Sequence, residues 1–260
     1  MKIKEREIRG VLIDLDGVLY VGGALISGAV EAVHQLEAAR TPRCYLTNTT
    51  TKSEAALRKK LQDMGLVVGA NEILSAPEAA KVYLENKGRP LCKLLVNDEV
   101  LADFRDFKQS DTDAQAVIIG DIGNAWTYDL LNNVFRLLMN GAELVALHRN
   151  KFWQTEAGLQ MDIGAFVAGL EYVTGKTATV MGKPSPEFFA AALSRIGLKS
   201  GEVAMIGDDI DTDIGAAQAQ GIIGILVKTG KYREEYVQAS KIKPDLVLDS
   251  IADLGGLLKT

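Results

Sequence analysis

Residues 11–17 read Val11-Leu12-Ile13-Asp14-Leu15-Asp16-Gly17. A short apolar, β-branched run ends in two carboxylates two positions apart, and a glycine opens a turn. Such a run bounded by a turn residue is expected as a buried strand. An acid at the end of a buried strand is costly unless something neutralises or ligates it. Alternate residues of an extended chain face the same way, so Asp14 and Asp16 share a side if the strand continues that far.

Working outward, three later segments carry the same chemical theme: Leu46-Thr47-Asn48, Gly182-Lys183-Pro184 and Gly207-Asp208-Asp209-Ile210-Asp211-Thr212-Asp213. Each follows a strand-like apolar run, the first of them over residues 43–47. Helices alternate with these runs. Ser27 is an expected N-cap for one with Val30, Val33 and Leu36 on one face, and Ser53 for another that Gly65 stops. Residues 177–181, 202–206, 222–227 and 246–248 read as further strands, with a helix over 186–196. Continuous apolar strands between helices mean a parallel sheet covered on both faces.

The middle of the chain holds its own set: strands at 94–96, 116–119 and 144–147, and a strongly apolar helix over 128–139. The expected fold class is therefore α/β, a doubly wound parallel-sheet, Rossmann-like core with an inserted smaller α/β domain. The borders read from sequence are 1–88 plus 177–260 for the core and 89–176 for the insert.

In an open α/β sheet, ligands bind at the carboxyl ends of the strands, at a topological switch point. All four segments lie at such ends. Asp14, Asp16, Asp208, Asp209 and Asp213 cannot all stay ionised in one crevice without a cation, because each raises the pKa of the others. Oxygen ligands at this density suit Mg²⁺, which keeps waters and substrate phosphate as its remaining ligands. Lys183 and Thr47 suit the far side of that phosphate. The set predicts phosphoryl transfer at a Mg²⁺ site, with one of the Asp14/Asp16 pair attacking phosphorus and the other handling protons.

These residues resemble the haloacid dehalogenase (HAD) superfamily of phosphatases over nearly the whole chain. The resemblance implies that Asp14 is the nucleophile that forms a phosphoaspartate. It implies that Asp16 protonates the leaving group and then activates water, its backbone carbonyl also ligating the metal. Thr47, Asn48 and Thr49 hold the phosphoryl oxygens, Lys183 neutralises Asp14 and the phosphate, and Asp14, Asp16 and Asp208 form the metal set. Asp209 and Asp213 have two readings: support of the metal's waters or of Lys183, or acids favoured at a helix N-terminus.

The interval from Asp16 to Thr47 holds only a turn, one helix and a strand, whereas that from Thr47 to Lys183 holds the inserted domain. This resembles the type-2 capped, NagD-like group of the family. Dehalogenases of the family lack an acid at the position of Asp16, and its phosphomutases carry the cap in the first interval.

His148 opens the polar stretch His148-Arg149-Asn150-Lys151 after a strand of the insert. It reads either as a residue that helps bind substrate by selecting the leaving group or as part of a solvated strand-end turn. Lys228 and Lys231 read as a solvated loop. The apolar 128–139 helix of a peripheral domain predicts a homodimer through the cap.

Composition narrows the remaining classes. The chain has 260 residues, 47% hydrophobic and 24% charged, with a net charge of −5. No Lys/Arg block favours nucleic acid, and no run of about 18 apolar residues predicts a membrane span. Cys44 and Cys92 are expected as buried free thiols. The charged N-terminus carries no apolar run, so a secretory leader is not expected and a cytoplasmic setting is. No phosphate-binding Gly-x-x-x-x-Gly-Lys-[Ser/Thr] loop points to a kinase. A non-catalytic phospho-accepting module of the receiver kind is about half as long, without an insert.

Overall fold

The computed structural model describes residues 2–69, 71–155 and 158–255. The chain divides into two compact units. Unit 1 comprises Met1–Thr47, Leu57–Leu74 and Lys183–Thr260; unit 2 comprises Asn48–Ala56 and Ser75–Gly182.

Unit 1 is built on a six-stranded sheet. Its order is Leu246–Leu248, Ile223–Val227, Val203–Gly207, Gly10–Asp14, Arg43–Thr47 and Ile73–Ser75. Pairing is parallel from Leu246–Leu248 through Arg43–Thr47. Gly10–Asp14 is fully buried, as the unbroken apolar run requires. Alternate residues go to opposite faces. Val11, Ile13, Ile223 and Ile225 join Val33, Leu36, Leu57 and Leu61 in one core. Leu226 joins Ile210 and Ile214 in another. After Gly10–Asp14 the chain builds the sheet outward on one side, and after Lys183 on the other. The carboxyl ends of Gly10–Asp14 and Val203–Gly207 therefore flank the switch point.

Capping chemistry sets the helices beside that point. Pro186–Ile196 starts on Ser185, whose hydroxyl accepts the Phe188 N–H at 3.2 Å, and stops at Gly197 with φ 67°. The helix over Ala29–Ala38 starts on Gly28 rather than Ser27. Gly28 has φ 81°, a conformation that serine adopts only under strain.

Unit 2 has a parallel four-stranded sheet in the order Thr179–Val180, Glu143–Ala146, Ala116–Ile119, Cys92–Leu95. An antiparallel pair, Phe152–Thr155 with Gly158–Met161, follows its third strand in the chain. The Tyr128–Met139 helix, capped by Thr127, packs Val134, Leu137 and Leu138 into a core with Val117, Ile119 and Val167.

The borders read from the sequence and those of the folded units differ. Residues 75–88 and 177–182 pack with unit 2. Tyr83 and Lys87, at the end of the Ala76–Asn86 helix, both bond Glu143 of the unit 2 sheet. Thr179 and Val180 pair with Val145 and Ala146 of the same sheet. Residues 48–56 also belong to unit 2. Two of the four places where the chain passes between units, Thr47–Asn48 and Gly182–Lys183, thus lie beside a candidate site residue.

Candidate active site

Asp14 is buried at the last position of its strand, where its Oδ1 accepts the Leu15 N–H at 2.8 Å. The same oxygen lies 2.8 Å from Lys183 Nζ, and Asp213 Oδ1 lies 2.7 Å from that nitrogen. Lys183 is thus a buried cation between two buried carboxylates. Burial works against its charge, but Asp14 and Asp213 outweigh burial and hold its pKa above the ordinary lysine value.

Asp208, directly after Val203–Gly207, is also buried. Its Oδ2 accepts the Lys231 N–H at 2.7 Å, while its Oδ1 has no hydrogen-bond partner among the described residues. Burial, then the charge of Asp213, pushes Asp208 up to about 6; burial pushes Asp213 up to about 6 as well. Burial also raises Asp14, against the pull of Lys183. Ligand atoms of Asp14, Asp208 and Asp213 all lie within 4.8 Å of one another. Three buried carboxylates, one ammonium and an orphaned carboxylate oxygen fit a divalent cation.

The turn after Val203–Gly207 separates the two readings of the later acids. Asp209 caps the wide helical turn Ile210–Gly215, accepting the Asp211 and Thr212 N–H groups at 3.0 Å each. Asp213 projects back under the strand end, fully buried, and its Oδ2 accepts the Asp209 N–H at 3.2 Å. A Cβ on Gly207 would stand 2.3 Å from Asp213 Cβ, so only glycine fits there. Asp213 thus contacts Lys183 from within the carboxylate cluster, whereas Asp209 bonds the helix end.

Thr47 ends the neighbouring strand and is buried, with Leu46 in register with Asp14. Asn48 and Thr49 follow it in the chain, in unit 2. Asp16 is the one exposed residue of the otherwise buried Asp14–Tyr20 turn, and its side chain lies outside the cluster of Asp14, Asp208 and Asp213 carboxylates. The sequence-read metal set and this cluster thus share Asp14 and Asp208. His148 is 4% exposed within unit 2, its ring nitrogens facing Thr50, Asp162 and the Asn150 N–H.

One part of the site is built by backbone groups and glycines rather than by charged side chains. The loop after Ile223–Val227 walls off Asp208: Thr229 Oγ1 donates to the Gly17 carbonyl, and the Lys231 backbone binds Asp208. A Cβ on Gly230 would stand 2.1 Å from Asp208 Oδ2, and Gly230 has φ 58°. Gly17, at φ 91°, is as close from the other side, at 1.9 Å. A glycine in a polar turn directly after a buried strand is the signal that points to such a close approach. Lys228 pairs with Asp249 at 2.9 Å, away from this contact.

This arrangement, a strand-end aspartate paired with a buried lysine beside two further carboxylates, is that of a metal-assisted phosphoryl-transfer enzyme. Residues 11–108 match the family model for haloacid dehalogenase-like hydrolases, and residues 180–254 match a HAD-hydrolase-like model. Haloacid dehalogenase-like hydrolase domain-containing protein 2 of Homo sapiens is 40% identical over 246 residues, 94% of this chain and 93% of that protein. Phospholysine phosphohistidine inorganic pyrophosphate phosphatase of Homo sapiens is 38% identical over 258 residues, 96% of this chain and 94% of that protein. The structure of p-nitrophenyl phosphatase from Archaeoglobus fulgidus superposes with a TM-score of 0.89 at 28% identity, covering 96% of this chain and 99% of that one. The chain belongs to the haloacid dehalogenase-like hydrolase superfamily. It is a phosphatase of that family, a phosphoric monoester hydrolase.

Proposed function

We propose that this phosphatase is Mg²⁺-dependent and releases phosphate from a small phosphorylated metabolite through a phosphoaspartate on Asp14. The observation that carries this reading is the buried Asp14–Lys183 pair at 2.8 Å, set among three clustered carboxylates. Lys183 favours the ionised form of Asp14 against the pull of burial, the form whose carboxylate attacks phosphorus. As the leaving oxygen departs, Asp16 gives it a proton; Asp16 then takes a proton from the water that cleaves the phosphoaspartate. The Thr47 hydroxyl and the backbone N–H groups of Asn48 and Thr49 hold the phosphoryl oxygens. Asp14 and Asp208, with the Asp16 carbonyl, would hold the Mg²⁺, and Asp213 keeps Lys183 aimed at Asp14. Bound Mg²⁺ supplies charge that offsets the carboxylates and the transferring phosphoryl group.

The test is turnover of p-nitrophenyl phosphate with Mg²⁺, its loss in excess EDTA and its return on adding Mg²⁺ back. Turnover that persists after exhaustive chelation would overturn the metal requirement. A panel of sugar phosphates, nucleotides, phosphoamino acids and pyrophosphate identifies the leaving group; the name of the human relative puts phosphoramidates and pyrophosphate first in that panel.

A homodimer through unit 2 is part of the same proposal. The Tyr128–Met139 and Gly164–Thr174 helices flank a groove of about 400 Å³, lined by Tyr128, Leu131, Phe135, Phe166, Leu170 and Val173. Tyr128 at its rim is 80% exposed and nearby Tyr172 is 89% exposed. Apolar surface of this kind supports a protein partner. Light scattering at micromolar concentration should give twice the 28.0 kDa chain mass, and Val173→Asp should return the mass of one chain. A single-chain mass for the wild type counts against the dimer. Buried free thiols at Cys44 and Cys92 suit a reducing, cytoplasmic setting.

A further inference from the structure

Three of the hydrogen bonds of the segment Asn48–Ala56, which continues from Thr47, tie it to the rest of unit 2. Asn97 Nδ2 donates to the Thr51 carbonyl at 3.1 Å, and the Glu54 N–H donates to Asp103 Oδ2 at 3.2 Å. The third tie is buried on both sides: Thr50 Oγ1 lies 3.4 Å from His148 Nε2. It is also nearest in the chain to Asn48 and Thr49.

The surroundings of His148 fix the sense of that bond. Its Nδ1 accepts the Asn150 N–H at 3.3 Å, which leaves the ring proton of the neutral form on Nε2. Burial holds the ring below the ordinary histidine pKa and so favours the neutral form. Nε2–H then donates to Thr50 Oγ1. Asp162 Oδ1, 3.7 Å from Nε2, lies on the same side and is itself held by the Ile163 N–H at 2.7 Å. A Cβ on Gly182 would stand 2.8 Å from both the Leu147 carbonyl and Asn48 Oδ1. The end of the His148-bearing strand, Asn48 and Gly182 are therefore packed together within unit 2, at two of the four places where the chain passes from one unit to the other.

We propose that His148 is a positioning residue for phosphoryl binding, holding the Asn48–Thr49 backbone in place through its hydrogen bond to Thr50. This rests on the reading of Asn48 and Thr49 as groups that hold the phosphoryl oxygens. It gives His148 a role without substrate contact, consistent with a ring enclosed by protein. The same bond makes Thr50 a residue whose hydroxyl matters although it touches no reacting atom.

The experiment uses Thr50→Val, His148→Ala, the double variant and His148→Gln, whose amide nitrogen reaches near the Nε2 position. Steady-state kinetics on p-nitrophenyl phosphate are read beside the Kd of inorganic phosphate, measured calorimetrically with Mg²⁺ present. Each of the first two variants should raise KM and the phosphate Kd about three- to tenfold, the loss expected for one neutral hydrogen bond. kcat should change less than about twofold, since the bond acts on ground and transition states alike. The double variant should be no worse than the poorer single one, because both remove one interaction. His148→Gln should recover most of the affinity. A Thr50→Val protein that binds phosphate as the wild type does, or singles whose losses add in the double, would overturn the proposal. If His148→Ala does not fold, Thr50→Val decides alone. Failure of the underlying reading looks different: the wild type itself would then neither bind phosphate nor turn over p-nitrophenyl phosphate.

Discussion

Asp14→Asn is expected to lose turnover of p-nitrophenyl phosphate by about 10⁴-fold or more while keeping its fold. The size follows from the role: without the nucleophile no phosphoaspartate forms, and the remaining groups can only bind the substrate. The survival of the fold follows from local geometry. Asparagine has the shape of aspartate, and its Oδ1 can still accept the Leu15 N–H that Asp14 accepts at 2.8 Å. Lys183 keeps Asp213 at 2.7 Å, so it is not left as a lone buried charge. Removing a carboxylate whose pKa is raised chiefly by burial also relieves part of that burial penalty. Circular dichroism and the melting temperature should therefore resemble those of the wild type, while single-turnover experiments show no covalent phosphoryl-enzyme. Wild-type turnover in this variant would remove Asp14 from the mechanism. A misfolded protein would instead mean that the carboxylate is structural.

Much of this site can be read from the sequence, because buried polar groups at strand ends stand out against apolar runs. Asp14, Thr47, Lys183 and Asp208 each end or follow such a run, and unit 1 gathers all four at its switch point. The helices with complete signals are legible too: Pro186–Ile196 begins on Ser185 and ends before Gly197, and Tyr128–Met139 begins on Thr127. What periodicity encodes is burial, not partner. Residues 177–181 have a strand pattern, but nothing in the pattern says that Thr179 and Val180 pair with Val145 and Ala146 of unit 2. The burial of Asp213 depends on a wide turn over Ile210–Gly215, which a run of alternating acids does not announce. The Lys231 contact to Asp208 is made by the backbone, so the side chain that names the position carries no information about it. Gly230 carries it instead, through the absence of a Cβ.

Lys183→Met should destabilise the metal-free protein by about 3–5 kcal/mol near pH 8, the cost of stripping the partner from buried charge. It should also abolish activity, since the ammonium that pairs with Asp14 and would face the phosphoryl group is gone. The pH dependence identifies the cause. Asp208 and Asp213 have folded-state pKa values of about 6 against 3.8 for the free group. A carboxylate raised on folding binds its proton more tightly in the native state. Its contribution to stability is fully present below about pH 4 and is lost as pH rises through about 6. In the metal-free wild type, stability therefore falls across that window. Without Lys183, the pull that lowers Asp14, Asp208 and Asp213 is gone, so their pKa values rise further and the fall extends to higher pH. The deficit of the variant relative to the wild type should be small near pH 5, where protons can replace the ammonium, and largest near pH 8. Mg²⁺ that binds the folded state alone should stabilise the variant itself near pH 8, by about 2.7 kcal/mol at a hundredfold excess over its Kd, and it narrows the deficit only by as much as the variant gains more than the wild type. Melting curves of both proteins at the two pH values, in EDTA and in Mg²⁺, test this directly. An equal deficit at both pH values would mean that Lys183 stabilises by packing. A variant whose own melting temperature is unmoved by Mg²⁺ would mean that the clustered carboxylates hold no cation once the lysine is gone.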